Sequence, residues 1–134
     1  MPGALVYFDS SALVKLVLPE AESSALLKLL RKEVQPISSE LATVEVIRAA
    51  RRASPDSEVH HRATAVMAAI HLVRVDSAIL EEAASLEPES LRSLDTIHLA
   101  SALSLAPDIE AMVVYDAGLA EAATKAGLRA LAPN

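Results

Sequence analysis

Five acidic side chains stand in apolar surroundings, and they are the residues of this sequence best placed to do chemistry. Three are aspartates that end short apolar runs: Leu5-Val-Tyr-Phe-Asp9, Leu72-Val-Arg-Val-Asp76 and Met112-Val-Val-Tyr-Asp116. Glu45 lies in Leu41-Ala-Thr-Val-Glu-Val-Ile-Arg-Ala49, and Asp95 in Leu91-Arg-Ser-Leu-Asp-Thr-Ile-His-Leu-Ala100. Each has an ordinary role open to it. An Asp before a helix is a favoured N-cap, contributing about 1 kcal/mol. With Ser93 as a cap, Asp95 would occupy a first helical turn, where the helix dipole favours an anion. Glu45 has Arg48 three residues on, the spacing of a surface ion pair. Yet a carboxylate beside apolar sequence must be compensated or it takes up a proton. If Asp9, Glu45, Asp95 and Asp116 converge, they call for a hard divalent cation, Mg2+ or Mn2+ rather than Zn2+. Such a site activates water and neutralises charge on a phosphodiester. Asp76, followed by Ser77-Ala-Ile-Leu-Glu81, reads as a helix cap alone.

The elements that must position these acids follow from periodicity. Strands are expected at Leu5 to Phe8, Val34 to Ser38, Leu72 to Val75, Ala111 to Tyr115 and Arg129 to Leu131. Helices are expected at Ser10 to Leu18, Ala21 to Lys32, Ser39 to Arg52 (capped by Ser38 or Ser39) and Asp56 to Ile70, the last with Pro55 in its first turn. Further helices are expected at Ser77 to Leu86, Leu94 to Leu105 and Ala117 to Ala126. Strands alternating with helices imply a parallel sheet covered on both faces. Ligands of such sheets bind beyond the carboxyl ends of the strands, where strand order reverses. Asp9, Asp76 and Asp116 all stand at carboxyl ends, so strand order must choose among them.

Composition narrows the rest. The 134 residues suit one domain, and 52% are hydrophobic, which argues against disorder. No cysteine is present, so disulfides, thiolate metal sites and a cysteine nucleophile are excluded, and the reducing cytoplasm is the natural compartment. Met1 to Phe8 lacks the basic start and apolar length of a leader, and no apolar run suits a membrane span. Gly3, Gly118 and Gly127 are the only glycines, so phosphate-cradling glycine loops fail. The net charge of −6 argues against a nucleic-acid partner taken alone. Its distribution does not: Lys28, Arg31, Lys32, Arg48, Arg51 and Arg52 are half of the 12 Lys and Arg and fall close together. They are either solvated helix faces or a surface for a polyanion. Among the histidines, His60 and His61 read as solvated, and His98, one turn from Asp95, as a hydrogen-bonding packing residue.

Four motifs in order resemble the PIN-domain ribonucleases, in particular the VapC-type toxins of toxin–antitoxin pairs. They are Tyr7-Phe-Asp-Ser-Ser-Ala-Leu-Val-Lys15, Ala42-Thr-Val-Glu-Val46, Leu94-Asp-Thr-Ile-His-Leu-Ala100 and Val114-Tyr-Asp-Ala-Gly-Leu119. The resemblance covers nearly the whole chain and implies a single PIN domain over residues 1–134. Its fold would be an α/β three-layer sandwich, a mainly parallel sheet of about five strands in the order 3-2-1-4-5 with helices on both faces. That order sets Asp9 beside Asp116 and puts Asp76 two strand spacings from Asp9. The resemblance further implies that Asp9, Asp95 and Asp116 hold Mg2+ (or Mn2+), that Glu45 orients or deprotonates water or binds a second ion, and that Ser11 supports the site. Ser11 could equally cap the following helix. The implied activity is a Mg2+-dependent endoribonuclease toxin leaving a 5′-phosphate and a 3′-hydroxyl. The six clustered basic residues would bind the RNA backbone. The implied partners are a small VapB-like antitoxin that blocks the acidic pocket and a second copy in a homodimer. One position departs: the family often has Thr or Ser two residues before the fourth acid, where this chain has Val114. A catalytically weak or inactive interaction module is the alternative that this departure favours.

Overall fold

The computed structural model describes residues 3–134; residues 1–2, the start of the stretch read above for a leader, lie outside it. Five strands form one sheet: β1 (Ala4–Phe8), β2 (Val34–Ser39), β3 (His71–Val73), β4 (Ile109–Val113) and β5 (Ala130–Leu131). Their order is β3-β2-β1-β4-β5, and every pairing is parallel. Seven helices connect them: α1 (Ser10–Val17), α2 (Ser23–Leu30), α3 (Leu41–Ala53), α4 (Ser57–Ala68), α5 (Ser77–Ser85), α6 (Ser93–Leu103) and α7 (Ala117–Lys125). Among the described residues no helix is long and apolar enough to cross a membrane.

Strand alternation splits the apolar residues between two faces. Val6, Phe8, Ala111 and Val113 point to the face covered by α1 to α4, where Leu13, Leu26, Val46 and Met67 complete a core. Tyr7, Met112 and Val114 point to the other face, against Leu99 and Ala102 of α6 and Leu119 and Ala123 of α7. Helix α5 packs on α6 through Ile79, Ala83 and Ala100. With only three aromatics in the chain, small aliphatic side chains let the helices lie close on the sheet.

Several boundaries differ from the periodic reading, each for a local reason. Helix α2 starts at Ser23 rather than Ala21, because the Ser23 hydroxyl is engaged with Glu20 N–H (2.9 Å) and the Lys15 carbonyl (2.6 Å). Glu40, not Ser38 or Ser39, occupies the N-cap of α3; Ser39 Oγ accepts from Leu41 N–H at 3.1 Å and Ser38 Oγ donates to the Phe8 carbonyl at 2.6 Å. The cap of α4 is Asp56, so Pro55 precedes the helix instead of opening it. Strand β3 ends at Val73 and β4 at Val113, short of Val75 and Tyr115. Val75 N–H turns to Glu40 Oε1 at 2.7 Å instead of a neighbouring strand. His60 is not simply solvated, since its Nε2 meets the Ser54 carbonyl at 2.8 Å.

Candidate active site

All three strand-end aspartates are helix caps. Asp9 Oδ1 accepts from Ala12 N–H at 2.9 Å, Asp76 Oδ1 from Ile79 N–H at 3.0 Å, and Asp116 Oδ2 from Leu119 N–H at 2.9 Å. Capping does not separate them, because an ionised carboxylate has about four acceptor positions and a cap uses one. Topology does. Strands β1 and β4 are neighbours, with Phe8 opposite Val113 and Asp9 N–H donating to the Val113 carbonyl at 3.2 Å. Asp9 and Asp116 therefore emerge side by side at the carboxyl edge. Asp76 follows β3, which β2 separates from β1.

One cavity of about 180 Å3 at this edge is lined by Asp9, Ser10, Ser11, Glu45, Arg92, Asp95, His98 and Asp116. The four converging acids thus come from four places: the end of β1, the middle of α3, the first turn of α6 and the residue before α7. A larger groove shares Arg92, Asp95 and Asp116 with it and runs along Gly118, Glu121 and Lys125.

The acids differ in environment. Asp9 is 5% exposed, and its carboxylate also accepts from Ser11 Oγ at 2.9 and 3.1 Å. Burial pushes its pKa up from the ordinary 3.8, and the Asp95 charge adds to this against the pull of its hydrogen bonds. Ser11 thus supports Asp9 directly, and the cap of α1 is Asp9 rather than Ser11. Asp95 lies in the first turn of α6 as expected, but Ser93 is inside the helix and Arg92 holds the N-cap position with no capping side-chain bond. Arg92 instead pairs with Asp95, Nε to Oδ2 at 3.3 Å. Asp116 is exposed.

Glu45 does not pair with Arg48. Its Oε1 accepts from Ser10 Oγ and lies 2.7 Å from His98 Nε2. Burial raises the Glu45 pKa, but the bonds from His98 and Ser10 and the nearby imidazole outweigh it and hold the carboxyl below its usual range. His98 is 2% exposed, with Nδ1 2.7 Å from the Tyr7 hydroxyl. Ser10, Tyr7 and Arg92 are the neighbours that sequence reasoning passed over. Ser10 and Tyr7 sit inside the motif Tyr7-Phe-Asp-Ser-Ser-Ala-Leu-Val-Lys15, and Arg92 is the single Lys or Arg between Asp76 and Glu121, so a signal is present for each.

The donor set fits a hydrated magnesium or manganese ion. No group of three or more His, Asp or Glu among the described residues is arranged to hold an ion by itself. Mg2+ keeps several waters and takes only one or two carboxylates plus substrate oxygens, so open carboxylates at one edge suit it better than a closed cage. All donors are hard oxygens, and among the described residues no cation pairs with the buried Asp9 carboxylate. Asp9, Asp95 and Asp116 could hold such an ion.

The basic residues fall in two groups. Lys28, Arg31 and Lys32 lie on and just after α2, and Arg48, Arg51 and Arg52 on α3; all six are exposed. Both helices pack on α1. None of the six lines the acidic cavity or its groove, whose cations are Arg92 and Lys125. Val114 is buried against α6 and α7, and its isopropyl side chain offers Asp116 no hydroxyl.

Residues 6–125 match the PIN domain family. The chain is 40% identical to ribonuclease VapC46 of Mycobacterium tuberculosis over 131 residues, covering 98% of this chain and 99% of that protein. It is 41% identical to ribonuclease VapC35 of the same organism over 135 residues, covering 97% and 98%. The fold is similar to that of VapC20 of Mycobacterium tuberculosis, described as a sarcin–ricin loop cleaving toxin, with a TM-score of 0.73 at 16% identity over 96% of this chain and 99% of that one. It is also similar to a chain of VapBC2 from Rickettsia felis bound to a fragment of its promoter DNA, with a TM-score of 0.71 at 10% identity over 97% and 99%.

Proposed function

The chain belongs to the PIN-domain family, and from that premise we propose that it is a cytoplasmic, divalent-metal-dependent endoribonuclease toxin, one PIN domain over residues 1–134. The observation that carries this reading is the convergence of Asp9, Glu45, Asp95 and Asp116 on one cavity. Full-length likeness to proteins named ribonucleases supports it.

Bound among Asp9, Asp95 and Asp116, Mg2+ would polarise water and offset charge on the phosphodiester oxygens. The protein's own groups do the rest. Ser11 fixes the Asp9 carboxylate by its two short contacts, and the α1 N-terminus holds Oδ1. Glu45 stays ionised at neutral pH and is the group to orient the attacking water and take its proton. Arg92, mostly exposed and tied to Asp95 by one contact, can release it for a phosphate oxygen. The products would be a 5′-phosphate and a 3′-hydroxyl.

The substrate is an exposed single-stranded part of a structured RNA, whose bases are free to be read. Its backbone would lie on the basic groups of α2 and α3. A small VapB-like antitoxin would cover the acidic cavity, and the toxin would form a homodimer and a toxin–antitoxin hetero-oligomer. The test is incubation of the antitoxin-free protein with a small-RNA pool in Mg2+, Mn2+ or EDTA, with mapping of new 5′ ends. Discrete 5′-phosphate ends that vanish in EDTA are expected. A folded protein that cuts nothing in either metal would favour the interaction module, the reading for which Val114 speaks.

A further inference from the structure

Two side chains, Ser10 and His98, tie Glu45 in place, and His98 joins both faces of the sheet. Helix α3 lies on the face of Phe8 and Val113, and α6 on the face of Tyr7 and Met112. At the carboxyl edge His98 of α6 reaches Glu45 of α3 at 2.7 Å and Ser10 of α1 at 2.9 Å. On its other side His98 Nδ1 contacts the hydroxyl of Tyr7 on β1 at 2.7 Å, and the two rings stand edge to face at 5.9 Å.

The groups that can only accept fix the direction of these bonds. Tyr7 is fully buried, and its hydroxyl has His98 Nδ1 as its hydrogen-bond partner. The Glu45 carboxylate is acceptor only, so Nε2, 2.7 Å from Oε1, is the donor, and Nδ1 of the neutral ring accepts from the Tyr7 hydroxyl. The ring proton then sits on Nε2 and is aimed at the ionised Glu45 Oε1. Ser10 donates to the same oxygen. Oε1 therefore carries both bonds. Glu45 lines the cavity, and its Oε2 has no hydrogen bond to the described residues.

We propose that His98, held by Tyr7, is the positioning residue of this site: it fixes Glu45 Oε1 and leaves Oε2 to meet the attacking water. The assignment rests on the reading of Glu45 as the group that handles water. A misplacement of about 1 Å at a reacting group costs on the order of 100-fold in rate, so a buried strut between helices from opposite faces matters to turnover without touching RNA.

Two measurements test it. Long-range 1H–15N spectra of the metal-free wild type at neutral pH should show His98 protonated on Nε2, with both nitrogens shifting in Glu45→Gln and Nδ1 shifting in Tyr7→Phe. A ring protonated on Nδ1 alone, or shifts that ignore both substitutions, would overturn the assignment. The second measurement is steady-state cleavage by His98→Leu, His98→Gln and Tyr7→Phe, after melting curves establish that each folds. His98→Leu should lose about 10- to 100-fold in kcat with KM and Mg2+ half-saturation within about twofold of wild type. His98→Gln, which keeps an N–H for Glu45, should recover part of the loss. Folded variants with wild-type kcat, or a loss confined to KM, would refute the positioning role. The spectra need neither RNA nor metal, so a wild type that cuts nothing would count against the ribonuclease reading while the hydrogen-bond assignment stood or fell by itself.

Discussion

Replacing Asp9 by Asn should make the metal-free protein more stable and abolish its response to Mg2+. The Asp9 carboxylate is 5% exposed and sits near the Asp95 charge. Asn keeps a carbonyl for Ala12 N–H, and Asn and Asp are comparable N-caps, so the helix loses at most a few tenths of a kcal/mol. What disappears is a buried charge that water does not solvate. The pH dependence has a definite sign. Folding raises the Asp9 pKa, so its contribution is fully present below the unfolded value of 3.8 and is lost as pH rises through the folded value. The advantage of the Asn variant in EDTA should accordingly grow across that window. With Mg2+ at 100 times its dissociation constant, linkage stabilises the wild type by about 2.7 kcal/mol. An unfolding entropy of about 2.1 cal/mol/K per residue over 134 residues turns that into a Tm increase of ~10 °C. Differential scanning fluorimetry of wild type, Asp9→Asn and Asp76→Asn, each with EDTA or Mg2+, reads all of this. Asp76 caps α5 away from the cavity, so its Asn variant should keep the full metal response. An Asp9→Asn protein that is less stable in EDTA, or that gains as many degrees with Mg2+ as the wild type, would refute the reasoning.

Other perturbations separate the remaining roles. Arg92→Ala removes the cation that competes for Asp95; an exposed pair of this kind contributes about 0.2–1 kcal/mol, so the Mg2+ half-point by calorimetry should fall by ~1.5- to 5-fold, and a weaker Mg2+ affinity would contradict the competition. Val114→Thr puts a hydroxyl into a site only 1% exposed and should cost about 1–3 kcal/mol in urea melts if it finds no partner; an unchanged midpoint would mean that it reaches one, with Asp116 the nearest acid in sequence. The double variants Arg48→Glu/Arg51→Glu and Lys28→Glu/Arg31→Glu should each flatten the plot of log RNA affinity against log salt by about 0.7 per lost phosphate contact. Unchanged slopes in both would remove this surface from the RNA path.

Local rules made the strand ends and the acids legible. An apolar run closed by an aspartate gives both a buried parallel strand and a cap, and β1 and β4 obey it. The order β3-β2-β1-β4-β5 follows from no single run; it came from the family likeness, and the structure agrees with it. The cap test at Asp9, Asp76 and Asp116 could not sort the three, because capping and lining a cavity use different lone pairs of one carboxylate. The i,i+3 rule sent Glu45 to Arg48, but its partners are Ser10 and His98, 35 and 53 residues away. Such contacts exist only once two faces of the sheet have been packed, so no helical spacing announces them. Ser23 shows the same limit on a small scale: a hydroxyl that reaches back to Lys15 fixes where α2 begins.

The most direct measurement is cleavage of a small-RNA pool by wild type, Asp9→Asn and Asp76→Asn in Mg2+ and Mn2+, with all three proteins folded and free of antitoxin. The account predicts metal-dependent cutting by wild type, none by Asp9→Asn, and wild-type cutting by Asp76→Asn, because only the first aspartate lines the carboxylate cavity. Equal loss in both variants, or cutting that survives in Asp9→Asn, would contradict it.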